Sequence, residues 1–282
     1  MKYVFFGTPD FAAGVLEKLI EAKMPPVAVI CNPDRPFGKK RIITPPPVKV
    51  LAEKHALEVF QPEMLDASAI QKLKEFQADV FVVAAYSTIL KKDVIEIPSL
   101  GVIGVHPSLL PKYRGATPIQ SVILAGEKET GATLFLIDEK VDHGSILSQT
   151  TLSIENPSYK ELEHQLARLS GKLLAETLPK FITGSITPQP QDESKATLTK
   201  KFETADAKID PAILSEAKNL GGQVAIDIER KIRAFNPEPG AFTLSPSKGG
   251  LKRVKLLEAE IVDGKLKLKT TQVAGKNPVT AF

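Results

Sequence analysis

Cysteine is almost missing from this chain. Cys31 is the only one in 282 residues, so no intrachain disulfide can form and a Cys-rich zinc site is excluded. Tryptophan is absent and only four tyrosines occur, which disfavours a long aromatic platform for stacking bases. Long hydrophobic runs are missing too. The apolar residues, 43% of the chain, come in short runs broken by charges. None approaches the roughly 18 consecutive apolar residues that a membrane helix needs. The opening MKYVFFGTPD has too short an apolar core for a secretion signal and reads better as a first strand. A cytoplasmic location without a membrane partner is the default expectation. Charge of one sign is not in great excess: the net charge is +4 and the pI about 8.9. That balance is compatible with a polyanionic partner without requiring one.

What is present is an alternation of short strands and helices. KYVFF at 2–6 reads as a buried strand. Thr8-Pro9-Asp10 reads as a helix start with Thr8 as the cap, followed by the stripe Phe11, Val15, Leu19. Further strands are expected at 27–30, 57–60, 79–84, 102–105, 132–137 and 145–149, with helices from about 48 and over 67–76. Residues 32–47, NPDRPFGKKRIITPPP, read as a long basic, proline-rich loop. This order predicts an α/β domain with a mostly parallel sheet over 1–185. Ser158 and Glu161 have capping-box spacing at the head of a long helix. Residues 186–202 begin ITPQPQDESKATLT and read as a linker. Residues 203–282 read as a helix followed by short strands, a small β-barrel-like module.

Four histidines occur, and one is placed for chemistry. His106 ends the run GVIGV, at the carboxyl end of a strand, where open α/β sheets hold their sites. His55 and His164 read as surface residues, and His143 as filler or a site neighbour. Asp142, just before Gly144, is the natural partner for His106. A carboxylate fixes an imidazole's orientation and favours its charged form, and the pair can shuttle a proton in acyl transfer to an amine. One His with one or two carboxylates is a poor metal set, so no metal is expected. The loop SLLPKYRG, with Pro107 and Pro111 flanking it, offers Arg114 and Gly115 for positioning a polar substrate. Leu109 and Leu110 must find apolar cover. The cluster Arg35, Lys39, Lys40, Arg41 sits in a long loop, which suits a grip on a nucleic-acid backbone as well as a solvated face.

Several stretches together resemble the methionyl-tRNA formyltransferase family, within the folate-dependent formyltransferases. They are FFGTPDFAAGVLEKL, NPDRPFGKKRIITPPPVKV, VVAAYSTIL, GVIGVHPSLLPKYRGATPIQ, IRAFNPEPGAF and QVAGKNPVTAF. HxSLLPxxRG indicates the wider group; PDRPxGKK and RAFNPxPG narrow it. The resemblance implies a Rossmann-like formyltransferase domain and a C-terminal OB-like barrel, in a full or a reduced form. It implies 10-formyltetrahydrofolate as formyl donor and the α-amine of methionyl-initiator tRNA as acceptor. A monomer is the expectation for the chain itself. His106 and Asp142 fall on the family's catalytic residues. Tyr86, Ser108, Leu109, Leu110 and Pro111 fall on its folate-associated positions. Arg35, Lys39, Lys40 and Arg41 fall on the loop that reaches the acceptor arm.

Two departures stand out. The family pattern NxHxSLLP is GVHPSLLP here, so Gly104 stands where an asparagine amide would support the formyl oxygen. Losing such a donor costs roughly 3–4 kcal/mol of transition-state stabilisation if nothing replaces it. A held water could fill the vacated space, or Ser87 or Thr88 could supply the replacement hydroxyl. A strand-and-turn stretch between EAEIVDGK and LKLKTTQV is also missing. Lys252, Arg253, Lys255, Lys265, Lys267 and Lys269 could compensate through phosphate contacts, and the last three would share one face of a strand. Three rivals stay open. N-formylation of a nucleotide-linked amino sugar predicts turnover of that substrate, glycinamide ribonucleotide formylation fits a chain without the second domain, and a weak tRNA- or folate-binding relative predicts binding without transfer.

Overall fold

The computed structural model describes residues 2–38, 40–247 and 250–280. Chain contacts gather these into two compact units. One comprises residues 1–114, 129–152 and 163–198, the other 115–128, 153–162 and 199–282. The segment 186–198 therefore packs within the first unit.

The first unit is built on a seven-stranded sheet. In chain order its elements are β1 (Tyr3–Gly7), α1 (Asp10–Glu21), β2 (Ala28–Ile30), β3 (Arg35–Phe37), β4 (Ile42–Thr44), α2 (Pro47–Lys54), β5 (Val59–Phe60), α3 (Ala67–Glu75), β6 (Val80–Ala84), α4 (Lys92–Ile95) and β7 (Val102–His106). After α5 (Pro118–Ala125), which belongs to the second unit, come β8 (Glu129–Leu136), β9 (Ile146–Ser153) and α6 (Tyr159–Ile182). The sheet order is β5-β2-β1-β6-β7-β8-β9. The first five strands are parallel, and β8 runs antiparallel to β7. Strands of parallel sheets are covered on both faces and so read as unbroken apolar runs; YVFFG and VIGVH are buried throughout. The chain winds outward from β1 to β2 and β5, then returns to β6 and β7. The carboxyl ends of β1 and β6 thus form the switch point at which such sheets open a crevice.

Two local expectations are corrected. The 32–47 stretch is not wholly loop, because Arg35–Phe37 and Ile42–Thr44 pair as an antiparallel hairpin that leaves Phe37, Ile42 and Ile43 exposed. Thr8 does not cap α1, since Pro9 holds the N-cap position without a side-chain bond. The Thr8 hydroxyl instead accepts the Asn32 N–H at 3.3 Å. The capping box at α6 is present: Glu161 Oε2 accepts the Ser158 N–H at 2.8 Å, and Ser158 Oγ accepts the Glu161 N–H at 3.4 Å.

The second unit carries α5, α7 (Pro211–Asn219), α8 (Gln223–Phe235), β10 (Phe242–Ser247), β11 (Gly250–Val262), β12 (Lys265–Val273) and β13 (Val279–Thr280). Among the described residues the four strands form one sheet in that sequential order, β11 antiparallel to β10 and β12 and β12 to β13. Asp263 and Gly264, both at positive φ, turn β11 directly into β12. Two such residues match the right-handed twist of a hairpin, and they close the place where the sequence lacks a strand-and-turn stretch.

Candidate active site

His106 is the last residue of β7 and only 6% exposed. Its Nε2 lies 2.8 Å from the Tyr113 carbonyl, and its Nδ1 lies 3.5 Å from Asp142 Oδ2. Both ring nitrogens therefore face acceptors. The neutral ring donates to one of them; the imidazolium donates to both. Asp142 lies on the loop joining β8 to β9, at φ +48°. That left-handed backbone is uncommon for a residue with a side chain, and it tips the carboxylate toward His106. Gly144 permits the turn: a Cβ there would coincide with the Leu136 carbonyl.

The loop after His106 is held from behind by groups the sequence did not advertise. Thr133 Oγ1 donates to the Ser108 carbonyl and accepts from the Leu110 N–H and Gln149 Nε2, at 2.6, 3.1 and 2.8 Å. That is the full capacity of one hydroxyl. Ser108 is buried and donates to the Lys112 carbonyl at 2.7 Å. Leu110 is buried, and Leu109 packs over Gly131, so both leucines find the expected apolar cover. Pro111 is half-buried.

Arg114 is not presented to a substrate. It is 5% exposed and grips Glu193 with Nη1 and Nη2 at 3.0 and 2.6 Å. Its Nε and Nη2 also donate to Gln191 Oε1 at 3.1 and 2.8 Å. This pairing holds the Glu193 carboxyl below the usual carboxylate range. Gln191 Nε2 in turn donates to the carbonyls of Asp142 and Gly144 at 2.9 and 2.8 Å. His143 neighbours the site, with Nδ1 2.7 Å from Asp138 Oδ2, while Asp138 also receives the Lys140 N–H at 2.8 Å as a turn former.

The space beside Gly104 is closed. Gly104 sits opposite Phe135 on β8, and a Cβ built on it lands 2.5 Å from Phe135 Cζ. An aromatic ring, not water, fills what a side chain at 104 would occupy. On the neighbouring strand exit, Tyr86 is half-buried with its ring edge-on to Phe6 at 5.5 Å. Burial raises its phenol above the usual value, and the Thr88 side chain is hydrogen-bonded to it. Ser87 Oγ accepts from Asn32 Nδ2 at 2.8 Å. Two exposed apolar side chains flank this end of the sheet: Ile89, 81% exposed, after β6, and Val141, 59% exposed, beside Asp142.

The basic positions are elsewhere. Arg35, Lys40 and Arg41 are exposed on the β3–β4 hairpin, and Arg35 pairs with Glu63 at 2.5 Å; Lys39 lies outside the described residues. The hairpin root is fastened by Asp34, which accepts from Gln61 Nε2 at 2.9 Å and from Lys49 Nζ at 2.9 Å. In the second unit Lys252 and Lys255 are exposed. Lys265, Lys267 and Lys269 share the exposed face of β12, with Leu266 buried between. Lys267 and Lys269 lie 3.9 and 3.7 Å from Glu260 across the strand pair. Arg253 is used internally, stacked 3.7 Å over the Phe242 ring. Among the described residues no cluster of three His, Cys, Asp or Glu side chains is placed to hold a metal, and no helix is long and apolar enough to cross a membrane.

Comparison with known proteins gives this geometry a context. Residues 1–178 match the family model described as formyl transferase, and residues 222–280 that described as formyl transferase, C-terminal domain. The methionyl-tRNA formyltransferase of Chloroflexus aurantiacus is 44% identical over 245 residues, covering 86% of this chain and 76% of the relative. That of Kosmotoga olearia is 44% identical over 265 residues, covering 93% and 81%. The solved methionyl-tRNA formyltransferase from Clostridium thermocellum has the same fold, with TM-score 0.62 at 17% identity over 97% of this chain and 98% of that one. The main sheet, the His106–Asp142 pair at its carboxyl end, and relatives of this identity and coverage agree: the chain belongs to the methionyl-tRNA formyltransferase family.

Proposed function

We infer that this chain transfers the formyl group of 10-formyltetrahydrofolate to the α-amine of methionyl-initiator tRNA, for translation initiation. The observation that carries the reading is the 3.5 Å approach of Asp142 to the buried His106 at the carboxyl end of β7, in a chain of this family. Bound beside them, the folate supplies the formyl carbon as electrophile and its nitrogen as leaving group. The residues present fit such a ligand. Ile89 and Val141 offer exposed apolar cover for a flat heterocycle, and half-buried Tyr86, Leu109 and Pro111 lie at the same end of the sheet. Ser108 and Leu110 shape that wall from behind.

With His106 Nδ1 held toward Asp142, the contact of Nε2 with the Tyr113 carbonyl gives way to substrate, and Nε2 takes the proton released when the amine attacks and returns it to the departing nitrogen. The imidazolium, held against Asp142, faces the negative charge that develops on the formyl oxygen. Asp142 orients the ring and offsets its charge. With the Phe135 ring over Gly104, no side-chain amide reaches that oxygen from position 104, so more of the charge falls to His106. Ser87 and Thr88 stand at the next strand exit as hydroxyl donors, each already hydrogen-bonded to a neighbour.

The tRNA is held by phosphate contacts from Arg35, Lys40 and Arg41 on the hairpin, together with Lys39 of the same basic stretch of sequence, and from Lys252, Lys255, Lys265, Lys267 and Lys269 on the C-terminal sheet, which serves as an OB-like RNA surface. Arg253 supports that surface through Phe242. Along the sequence the roles divide into a catalytic domain over 1–185, a segment over 186–202 that connects it onward while 186–198 packs within the first unit, and a tRNA-binding domain over 203–282, in a cytoplasmic monomer. The test is formyl transfer to methionyl-initiator tRNA by the unaltered protein and by His106→Ala. Robust turnover that falls at least about 100-fold in the variant supports the reading. A folded protein that binds tRNA yet transfers nothing overturns it. That second outcome would identify a binding relative, for which the closed space at Gly104 is the specific observation.

A further inference from the structure

The two partners of His106 come from different loops. Tyr113, whose carbonyl meets Nε2, lies on the loop after β7, and Asp142, whose carboxylate faces Nδ1, lies on the loop after β8. One side chain ties these loops together. Gln191 presents its Nε2 to the Asp142 and Gly144 carbonyls and its Oε1 to the guanidinium of Arg114, the residue next to Tyr113. The amide has one chemically sensible orientation. Reversed, it would set an NH2 group against a guanidinium and an oxygen against two carbonyl oxygens. Glu193 grips the other edge of Arg114, and the Arg114 N–H donates to the Thr197 carbonyl at 2.9 Å. The left-handed backbone of Asp142 needs such support, since a strained conformation persists only where its surroundings over-determine it.

We propose that Gln191, bracketed by Arg114, is a positioning residue that sets the His106–Asp142 geometry by clamping the Asp142 loop to the Tyr113 loop. The proposal rests on the formyl-transfer reading and adds to it a residue from a stretch whose composition suggests a linker. Gln191 touches neither substrate; it acts through Asp142. A misplacement of about 1 Å in a reacting group costs on the order of 100-fold in rate, so a clamp on the loop backbone governs turnover rather than affinity.

The experiment compares kcat and KM for the unaltered protein, Gln191→Glu, Asp142→Asn and the double variant. Gln191→Glu keeps a partner for Arg114 and removes both N–H donors. The expected result is a kcat lowered about ten- to a hundredfold with KM for both substrates nearly unchanged. The double variant should be no slower than Asp142→Asn alone, because residues acting as a unit are not additive. Full kcat in Gln191→Glu, or losses that multiply in the double variant, overturns the proposal. A second measurement follows the His106 ring nitrogens by ¹⁵N NMR in the same proteins, which separates this proposal from the reaction itself. If the unaltered protein fails to formylate, a displaced His106 signal in Gln191→Glu still supports the clamp, and an unmoved one rejects it.

Discussion

A single buried residue can be decided by what stands next to it, and Gly104 is the clearest case. With Phe135 Cζ 2.5 Å from the place of a Cβ, Gly104→Ala forces a 3% exposed ring out of its seat. Overpacking of this kind costs about 1–3 kcal/mol. The melting temperature of Gly104→Ala should fall, and Gly104→Ala with Phe135→Leu should recover part of the loss. Thr133 is a second such residue. Thr133→Val keeps the shape and strands the Ser108 carbonyl and Leu110 N–H, at roughly 1–3 kcal/mol for each buried group left unpaired. The loss should appear in chemical denaturation as a lower midpoint with an unchanged slope. His106 and Asp142 were legible because an apolar run delivers one to a strand end and Gly144 marks the turn beside the other. Phe135 and Thr133 were not, because along the chain they are ordinary members of an apolar strand. Only the antiparallel register of β8 on β7, which pairs Phe135 with Gly104, gives them their tasks.

At the scale of elements, the basic hairpin β3–β4 hangs from Asp34. Hydrogen bonds from Gln61 and then Lys49 hold this carboxyl below its ordinary value. A lowered folded value means that its stabilising contribution is present above the ordinary carboxylate range, near pH 4, and is lost as pH falls through the lowered value. Amide exchange in the hairpin should therefore quicken below about pH 4 ahead of the sheet, and Asp34→Asn should remove that pH dependence. The strip Lys265, Lys267, Lys269 makes a second prediction. Replacing all three by alanine should flatten the salt dependence of tRNA binding, lowering the slope of log K against log salt concentration by up to about 0.9 for each phosphate no longer neutralised. Glu260→Gln should tighten binding, since it frees two of the lysines; affinity over a salt series tests both. The hairpin escaped sequence reading because Pro36 and four cations mask two strands of three residues each. Gln191 and Glu193 escaped because a polar, proline-rich stretch looks the same whether it is solvated or wedged behind a loop.

At the scale of the whole molecule, the chain passes between its two units at 114–115, 128–129, 152–153, 162–163 and 198–199. Residues 199–282 therefore do not contain their own unit. They lack α5 and the Gly126 that caps its end, against which the Arg230 guanidinium of α8 lies, and they lack Pro157, whose carbonyl accepts from Arg233 at 2.8 Å. A fragment of 199–282 should show no cooperative melt and should bind a hydrophobic dye, whereas the full chain should melt cooperatively; circular dichroism and dye fluorescence decide it. The same interleaving sets a schedule during synthesis. The α5 segment PIQSVILA, with Ile119, Val122 and Ile123 buried in the finished protein, leaves the ribosome about 100 residues before α8 is complete. At about 5–20 residues per second that is a wait of roughly 5–20 s. For that time an apolar helix travels without its mate, and the nascent chain is most exposed to chaperones, or to its neighbours, over those eight residues.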